Sequence, residues 1–254
     1  MVTLKSPKDI KILKEGGSRL ARILNEVSKE IKPGITGGQL DRLTKSLILN
    51  AGGRPSFLNY QPDFSNKPFP TSLCLSINEV IVHGIPTDEI IIKEGDIVSL
   101  DLGLEYKKLF TDMALTIAVG KVDSCYKKLI RTTKIALNKA IEIATEGHTL
   151  GDIGYTINSY VKSQGFRVIK NLVGHGVGYK VHEEPEILNY GEPHTGLKLK
   201  RGMVLAIEPM VTFKSEEAIQ GPDGSFITAD GLTAAHFEHT IVVMPKKALI
   251  LTKI

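Results

Sequence analysis

Tryptophan is absent from this sequence and cysteine nearly so: Cys74 and Cys125 are the two thiols among 254 residues, in unrelated contexts. Two isolated cysteines make neither a disulfide framework nor a zinc-finger spacing, so a reducing cytoplasmic setting is expected. No apolar run approaches the roughly 20 residues that a membrane-crossing helix needs. The first residues carry Lys5, Lys8 and Asp9 where a secretory leader would require an apolar stretch. A dominant charge is missing too, since 32 basic against 28 acidic residues leave +4. With no basic cluster interleaved with aromatics, a dedicated nucleic-acid surface is not expected. The mild positive balance permits a transient contact with a polyanion such as the ribosome without arguing for one. Linkers and low-complexity segments are lacking as well, so residues 1–254 read as one domain, with a monomer as the default.

What the chain does have is periodicity. Ser6-Pro7-Lys8-Asp9 has the form of a helix cap with proline in the first turn and an acid at the third position. Ile10, Leu13, Leu20, Leu24, Val27 and Ile31 then follow at helical spacing until Pro33-Gly34. A second helix is expected from about Gly38 to Asn50. The pattern next changes to period two. Val98, Leu100, Leu102 and Leu104 alternate with Ser99, Asp101 and Gly103, and Met113, Leu115, Ile117 and Val119 alternate with Asp112, Ala114, Thr116 and Ala118. Each strand so defined has an apolar face for helices and a small, polar face bearing one aspartate. Antiparallel pairing would put Asp101 and Asp112 on the same surface. Helical patterns return near 126–144 and 153–161, followed by strands over 203–212 and 236–243 that hold Glu208 and Glu238. A helix–helix–strand–strand order given twice predicts a pseudo-twofold α+β fold.

The acids are the chemical signal. Asp101 and Asp112 sit inside otherwise apolar strands, where an unpaired carboxylate is disfavoured. His175 stands in Gly174-His175-Gly176-Val177-Gly178, with glycines that let the backbone approach closely and leave the ring unobstructed. Glu208 precedes a proline that cannot donate a ladder hydrogen bond, so its strand should end or bulge there. Four carboxylates and one imidazole cannot be buried together unpaired, whereas two divalent cations would balance them. A water between two such cations becomes acidic enough to supply hydroxide at neutral pH. His182 and His83 accompany the set. The seven-residue spacing from His175 makes His182 a substrate-facing group rather than a ligand of the same metal. His148, His194, His236 and His239 read as structural, and Cys74 as a pocket wall rather than a nucleophile, having no base beside it.

Taken together, these motifs resemble the type I methionine aminopeptidases. The resemblance runs from Pro33-Gly34-Ile35-Thr36 to Glu238-His239-Thr240-Ile241, through Ser76 to Pro86, the Asp101–Asp112 pair, Gly174 to Gly178, Val181 to Pro185 and Gly202 to Met210. It implies the pseudo-symmetric "pita-bread" α+β fold and a hydrolase that removes the initiator methionine from nascent proteins and peptides with a small second residue. It further implies two divalent ions (Co, Mn, Fe or Zn), one held by Asp101, the other by His175 and Glu208, with Asp112 and Glu238 bridging. His182 would meet the scissile carbonyl oxygen, His83 the scissile amide nitrogen, and Glu208 would shuttle a proton. Cys74 and Phe69 would wall the methionine pocket. Proline-directed peptidases share the ligand order, but they usually have an additional N-terminal domain and tend to read Glu-Pro-Gly in place of Glu208-Pro209-Met210. Departures from the family pattern are Lys108-Leu109-Phe110-Thr111 before Asp112, Val181 where an aromatic is common, the lack of tryptophan, and a longer loop around 62–70.

Overall fold

The computed structural model describes residues 2–61 and 67–254. Helix α1 (Pro7–Lys29) begins where the cap was expected: the Ser6 hydroxyl accepts the Asp9 N–H, and the Asp9 carboxylate accepts the Ser6 N–H. Its face of Leu13, Leu20, Leu24 and Val27 is buried. Helix α2 (Gly37–Asn50) carries a second capping box, between Thr36 and Gln39, and starts one residue before the expected position. Strands β1 (Arg54–Pro55), β2 (Cys74–Ile77), β3 (Val80–Val82), β4 (Ile97–Tyr106) and β5 (Leu109–Ala118) follow. β4 is the axis of this half: β5 pairs with it throughout, while β2 and β1 pair with different stretches of it. Val98, Leu100, Leu102 and Leu104 pack under α1 and α2. The opposite face, with Ser99, Asp112, Ala114 and Thr116, is small and polar yet also buried. It faces the second half of the molecule rather than water.

That half repeats the plan with α3 (Ser124–Ile143) and α4 (Leu150–Ser163), the latter capped by Thr149 and Asp152. Its strands are β6 (Arg167–Val168), β7 (Val173–Gly176), β8 (Glu183–Leu188), β9 (Val204–Ile207), β10 (Met210–Thr212), β11 (Ala218–Gln220), β12 (Phe226–Thr228), β13 (Ala234–His236), β14 (His239–Val242) and β15 (Leu249–Ile250). They form a five-stranded sheet β15-β14-β9-β7-β8 and two three-stranded sheets, β13-β10-β6 and β11-β12-β3. Leu129, Leu137, Ile153 and Ile157 from the helices pack on Leu205, Ile207 and Ile241. The mixed helix–sheet duplication expected from the sequence is therefore present.

The strand read over 203–212 ends at Glu208-Pro209, as the proline leads one to expect, whereas the one read over 236–243 needs correction: it is broken at Phe237-Glu238. On either side of each break the chain belongs to a different sheet, β9 and β14 to the five-stranded one and β10 and β13 to a three-stranded one. Pro209 has no N–H for a ladder, which accounts for the first break. Both glutamates thus sit at crossovers between sheets. Of the loop expected to be long around 62–70, residues 62–66 lie outside the described residues.

Candidate metal centre

In the β4–β5 ladder Asp101 faces Ala114 and Gly103 faces Asp112, so the two aspartates lie diagonally on one face. The Glu238 N–H donates to the Ala114 carbonyl at 2.9 Å, which draws the second crossover onto the same spot. Thr240 holds the Asp112 main chain twice, accepting its N–H at 2.9 Å and donating to its carbonyl at 2.7 Å. From the other side, His175 pairs with Ala206 in the β7–β9 ladder, two residues before Glu208. A Cβ on Gly174 would press on the Ala206 carbonyl, and one on Gly176 on the Glu184 carbonyl. The glycines around His175 are there for close backbone approach. Asp112, His175 and Glu238 offer donor atoms that all lie within 4.8 Å of one another.

The electrostatics are those of a cation site. Asp101 Oδ1 and Glu238 Oε1 are buried without a hydrogen-bond partner among the described residues. Burial pushes Glu208 up to about 8, and burial plus the Glu208 charge pushes Asp112 up to about 7. Asp101 and Glu238 are driven well above the carboxylate range, first by burial and then by their acidic neighbours. Burial also drives His175 down to about 3, so its ring is neutral at physiological pH. Its Nδ1–H donates to the Gly176 carbonyl at 2.8 Å, which leaves a lone pair on Nε2. That lone pair faces Glu208 Oε1 at 3.5 Å. Orphaned carboxylate oxygens and an opposed lone pair fit a divalent cation, and mixed oxygen and imidazole donors suit borderline metals.

Above these groups opens a cavity of about 380 Å³, walled by Phe57, Tyr60, Phe69 and Cys74. Phe57, Cys74 and Val181 form an apolar cluster with Tyr60, Phe69 and Phe110 against it. Cys74 pairs directly with Asp101 in the sheet. Burial, and then the Asp101 charge, raise its thiol well above the usual range, so it is no thiolate nucleophile. It accepts a hydrogen bond from the His83 backbone. His83 follows β3 with φ +60°, a left-handed backbone that costs a non-glycine residue about 1–2 kcal/mol and is concentrated at functional sites. Burial lowers both His83 and His182 to about 4.

His182, seven residues beyond His175, meets it ring edge to ring face at 4.4 Å because β7 and β8 form a hairpin. Its Nδ1 is hydrogen-bonded to the Tyr60 hydroxyl at 2.9 Å. Next to it, Glu183 is anchored by Lys5, whose Nζ reaches Oε2 at 2.5 Å in a nearly solvent-free pair. A second cavity, of about 620 Å³, shares His83, His175, His182 and Glu208 with the first.

All seven polar residues singled out in the sequence thus surround one centre, and so do Cys74 and Phe69. Phe57 and Tyr60 were missed because they lie in an aperiodic Pro- and Asn-rich loop. His236 was set aside as a strand neighbour, yet its Nε2 stands 3.3 Å from Glu208 Oε2. Its place two residues before Glu238, within a stretch read as one strand, was the available signal. His148, His194 and His239 point elsewhere: His148 to Thr145, the exposed His194 to Asp152, and His239 to Thr252.

A family model for metallopeptidase family M24 matches residues 11–245. The methionine aminopeptidase of Clostridium perfringens is 41% identical over 100% of both chains. The crystal structure of methionine aminopeptidase from Thermotoga maritima superposes with a TM-score of 0.96 at 42% identity, covering 100% of each chain. The prolidase from Pyrococcus furiosus shares the fold at TM-score 0.78 and 24% identity, with 99% of this chain covering 65% of that one. The prolidase likeness is one of fold, whereas the other two run end to end at about two residues in five; the chain belongs to metallopeptidase family M24 and, within it, to the methionine aminopeptidases.

Proposed function

We propose that this chain removes the N-terminal methionine from nascent proteins and peptides whose second residue is small. Asp101 would hold one divalent ion, His175 and Glu208 the other, and Asp112 and Glu238 would be shared. The observation that carries this is the convergence of buried ligand atoms without a hydrogen-bond partner, Asp101 Oδ1 and Glu238 Oε1, and the free lone pair of His175 Nε2 on one cavity. When bound there, the two cations would neutralise the four carboxylates, polarise a peptide carbonyl and acidify a water.

The rest falls to the protein. Phe57, Tyr60, Phe69 and Cys74 would enclose an unbranched apolar side chain such as that of methionine. His182, neutral at pH 7, would donate from Nε2 to the carbonyl oxygen as charge gathers on it, with its Nδ1 held by Tyr60. His83, fixed by its strained backbone and the edge of Phe226, would contact the scissile nitrogen and help protonate the leaving amine. Glu208 would take the proton from the attacking water. Co, Mn, Fe and Zn all suit the donors, and cellular supply would choose. We read residues 1–254 as one catalytic domain acting as a cytoplasmic monomer that meets chains leaving the ribosome in transient contacts. No helix among the described residues is long and apolar enough to cross a membrane.

The test is an assay of Met-Ala-Ser against Ala-Pro peptides with protein reconstituted in Co or Mn. Release of free methionine alone, blocked by chelator, is expected. Cleavage of the Ala-Pro bond would transfer the function to the proline-directed branch.

A further inference from the structure

We propose that His236 is the positioning residue that sets which oxygen of Glu208 faces the metal, by donating its Nε2–H to Oε2. The inference rests on the ligand role assigned to Glu208. His236 is buried, 1% exposed. Its backbone is pinned at both ends by one side chain, since the Thr116 hydroxyl accepts the His236 N–H at 2.8 Å and donates to its carbonyl at 2.7 Å. Neither ring nitrogen completes a hydrogen bond among the described residues, and Nε2 stands 3.3 Å from Glu208 Oε2. A buried polar ring left in that state costs about 1–3 kcal/mol, so it calls for a partner.

The chemistry decides the tautomer. A ligating Glu208 is ionised, and a lone pair on Nε2 would repel Oε2, whereas an Nε2–H attracts it. His175 is the opposite case, with its proton on Nδ1 and its lone pair toward Oε1. One carboxylate therefore lies between a donor at Oε2 and an acceptor at Oε1. A cation is drawn to the Oε1 side, where the His175 lone pair faces the carboxylate, and the His236 donor fixes the carboxylate's rotation so that Oε1 stays there. Partners of this kind behind a metal ligand typically change metal affinity 10–100-fold.

The experiment is a calorimetric titration of Co²⁺ or Mn²⁺ into metal-free protein, with the visible spectrum of the Co²⁺ form recorded in parallel. His236→Gln places an amide N–H₂ near the position of Nε2 and should bind within about 3-fold of the wild type with an unchanged Co²⁺ spectrum. His236→Asn is too short to reach Oε2, and His236→Leu has no donor; both should bind about 10–100-fold more weakly with an altered spectrum. Far-ultraviolet circular dichroism selects the folded variants, and either of the two losing variants suffices. Wild-type affinity in Asn or Leu, or a Gln variant as weak as they are, would overturn the proposal. Metal binding is read without substrate, so a tight but inactive wild type would count against the peptidase reading and leave this one standing.

Discussion

At the scale of single residues, the centre is a set of histidines whose protons are placed by their neighbours. His175 is settled by the Gly176 carbonyl; for His182 the partner is Tyr60. The role proposed for His182 needs its proton on Nε2, the nitrogen at the substrate carbonyl, and with that tautomer the Tyr60 hydroxyl donates to Nδ1. Tyr60→Phe removes that hydroxyl and keeps the ring. Loss of one such hydrogen bond, worth about 1.4 kcal/mol, should lower kcat about tenfold with KM nearly unchanged. Steady-state kinetics on a methionyl tripeptide checks it, and an unchanged kcat would remove Tyr60 from the mechanism. The aspartates and His175 were legible because each breaks a local rule, a carboxylate in an apolar strand or an imidazole framed by glycines. Phe57, Tyr60 and His236 break none. An aromatic in a loop and a histidine in a strand are ordinary until the tertiary structure supplies Glu208 or His182 as a neighbour.

At the scale of elements, two short-range features set the geometry. The β4–β5 turn places Lys107 and Lys108 at φ +52° and +67°, the conformation of the tight hairpin turn that favours Asn-Gly. Lys107 is retained by an ion pair with Glu15 at 3.1 Å, and its ammonium also lies over the Tyr106 ring. Lys108 makes no such contact among the described residues. Lys108→Gly should therefore stabilise the protein by about 1 kcal/mol, or about 2–4 °C in melting temperature for a chain of this size. A fall in melting temperature would show that the left-handed strain is absent. Gly174→Ala acts in the other direction, because its Cβ would lie 2.5 Å from the Ala206 carbonyl and force β7 away from β9. The expected result is weaker metal binding together with about 1–3 kcal/mol of lost stability, measured by titration and thermal melts. Helices and the β4–β5 hairpin could be read from periodicity and capping chemistry. The splitting of the two acid-bearing strands could be read only at Pro209, where a missing N–H forces it. At Phe237-Glu238 no residue type announces the break; it exists because β13 and β14 serve different sheets.

At the scale of the whole molecule, the duplicated halves meet through their polar faces, and so the stability of the fold is tied to the metal. In metal-free protein Asp112 and Glu208 have folded pKa values of about 7 and about 8, against ordinary values of 3.8 and 4.5, and Asp101 and Glu238 are raised as well. A carboxyl that is raised on folding stabilises the native state at low pH, and that stability is lost as pH rises through the folded value. The buried histidines work the other way. His83, His175, His182, His236 and His239 are lowered from 6.5 to about 4, about 3, about 4, about 3 and about 4, so the unfolded chain alone takes up protons as pH falls below 6.5. Between about 5 and 6.5 the two slopes oppose one another, while above 6.5 the histidine contribution is spent and the carboxyls dominate. The metal-free protein should therefore melt at progressively lower temperature from about pH 6.5 to 9. Bound cations keep the four carboxylates ionised and paired, which removes the alkaline slope and leaves the acid one. The stabilisation given by the metal should consequently grow with pH across that window. Thermal melts of the chelated and reconstituted forms at half-unit steps test this directly, and parallel profiles would mean that the four carboxylates do not share a buried, cation-dependent centre.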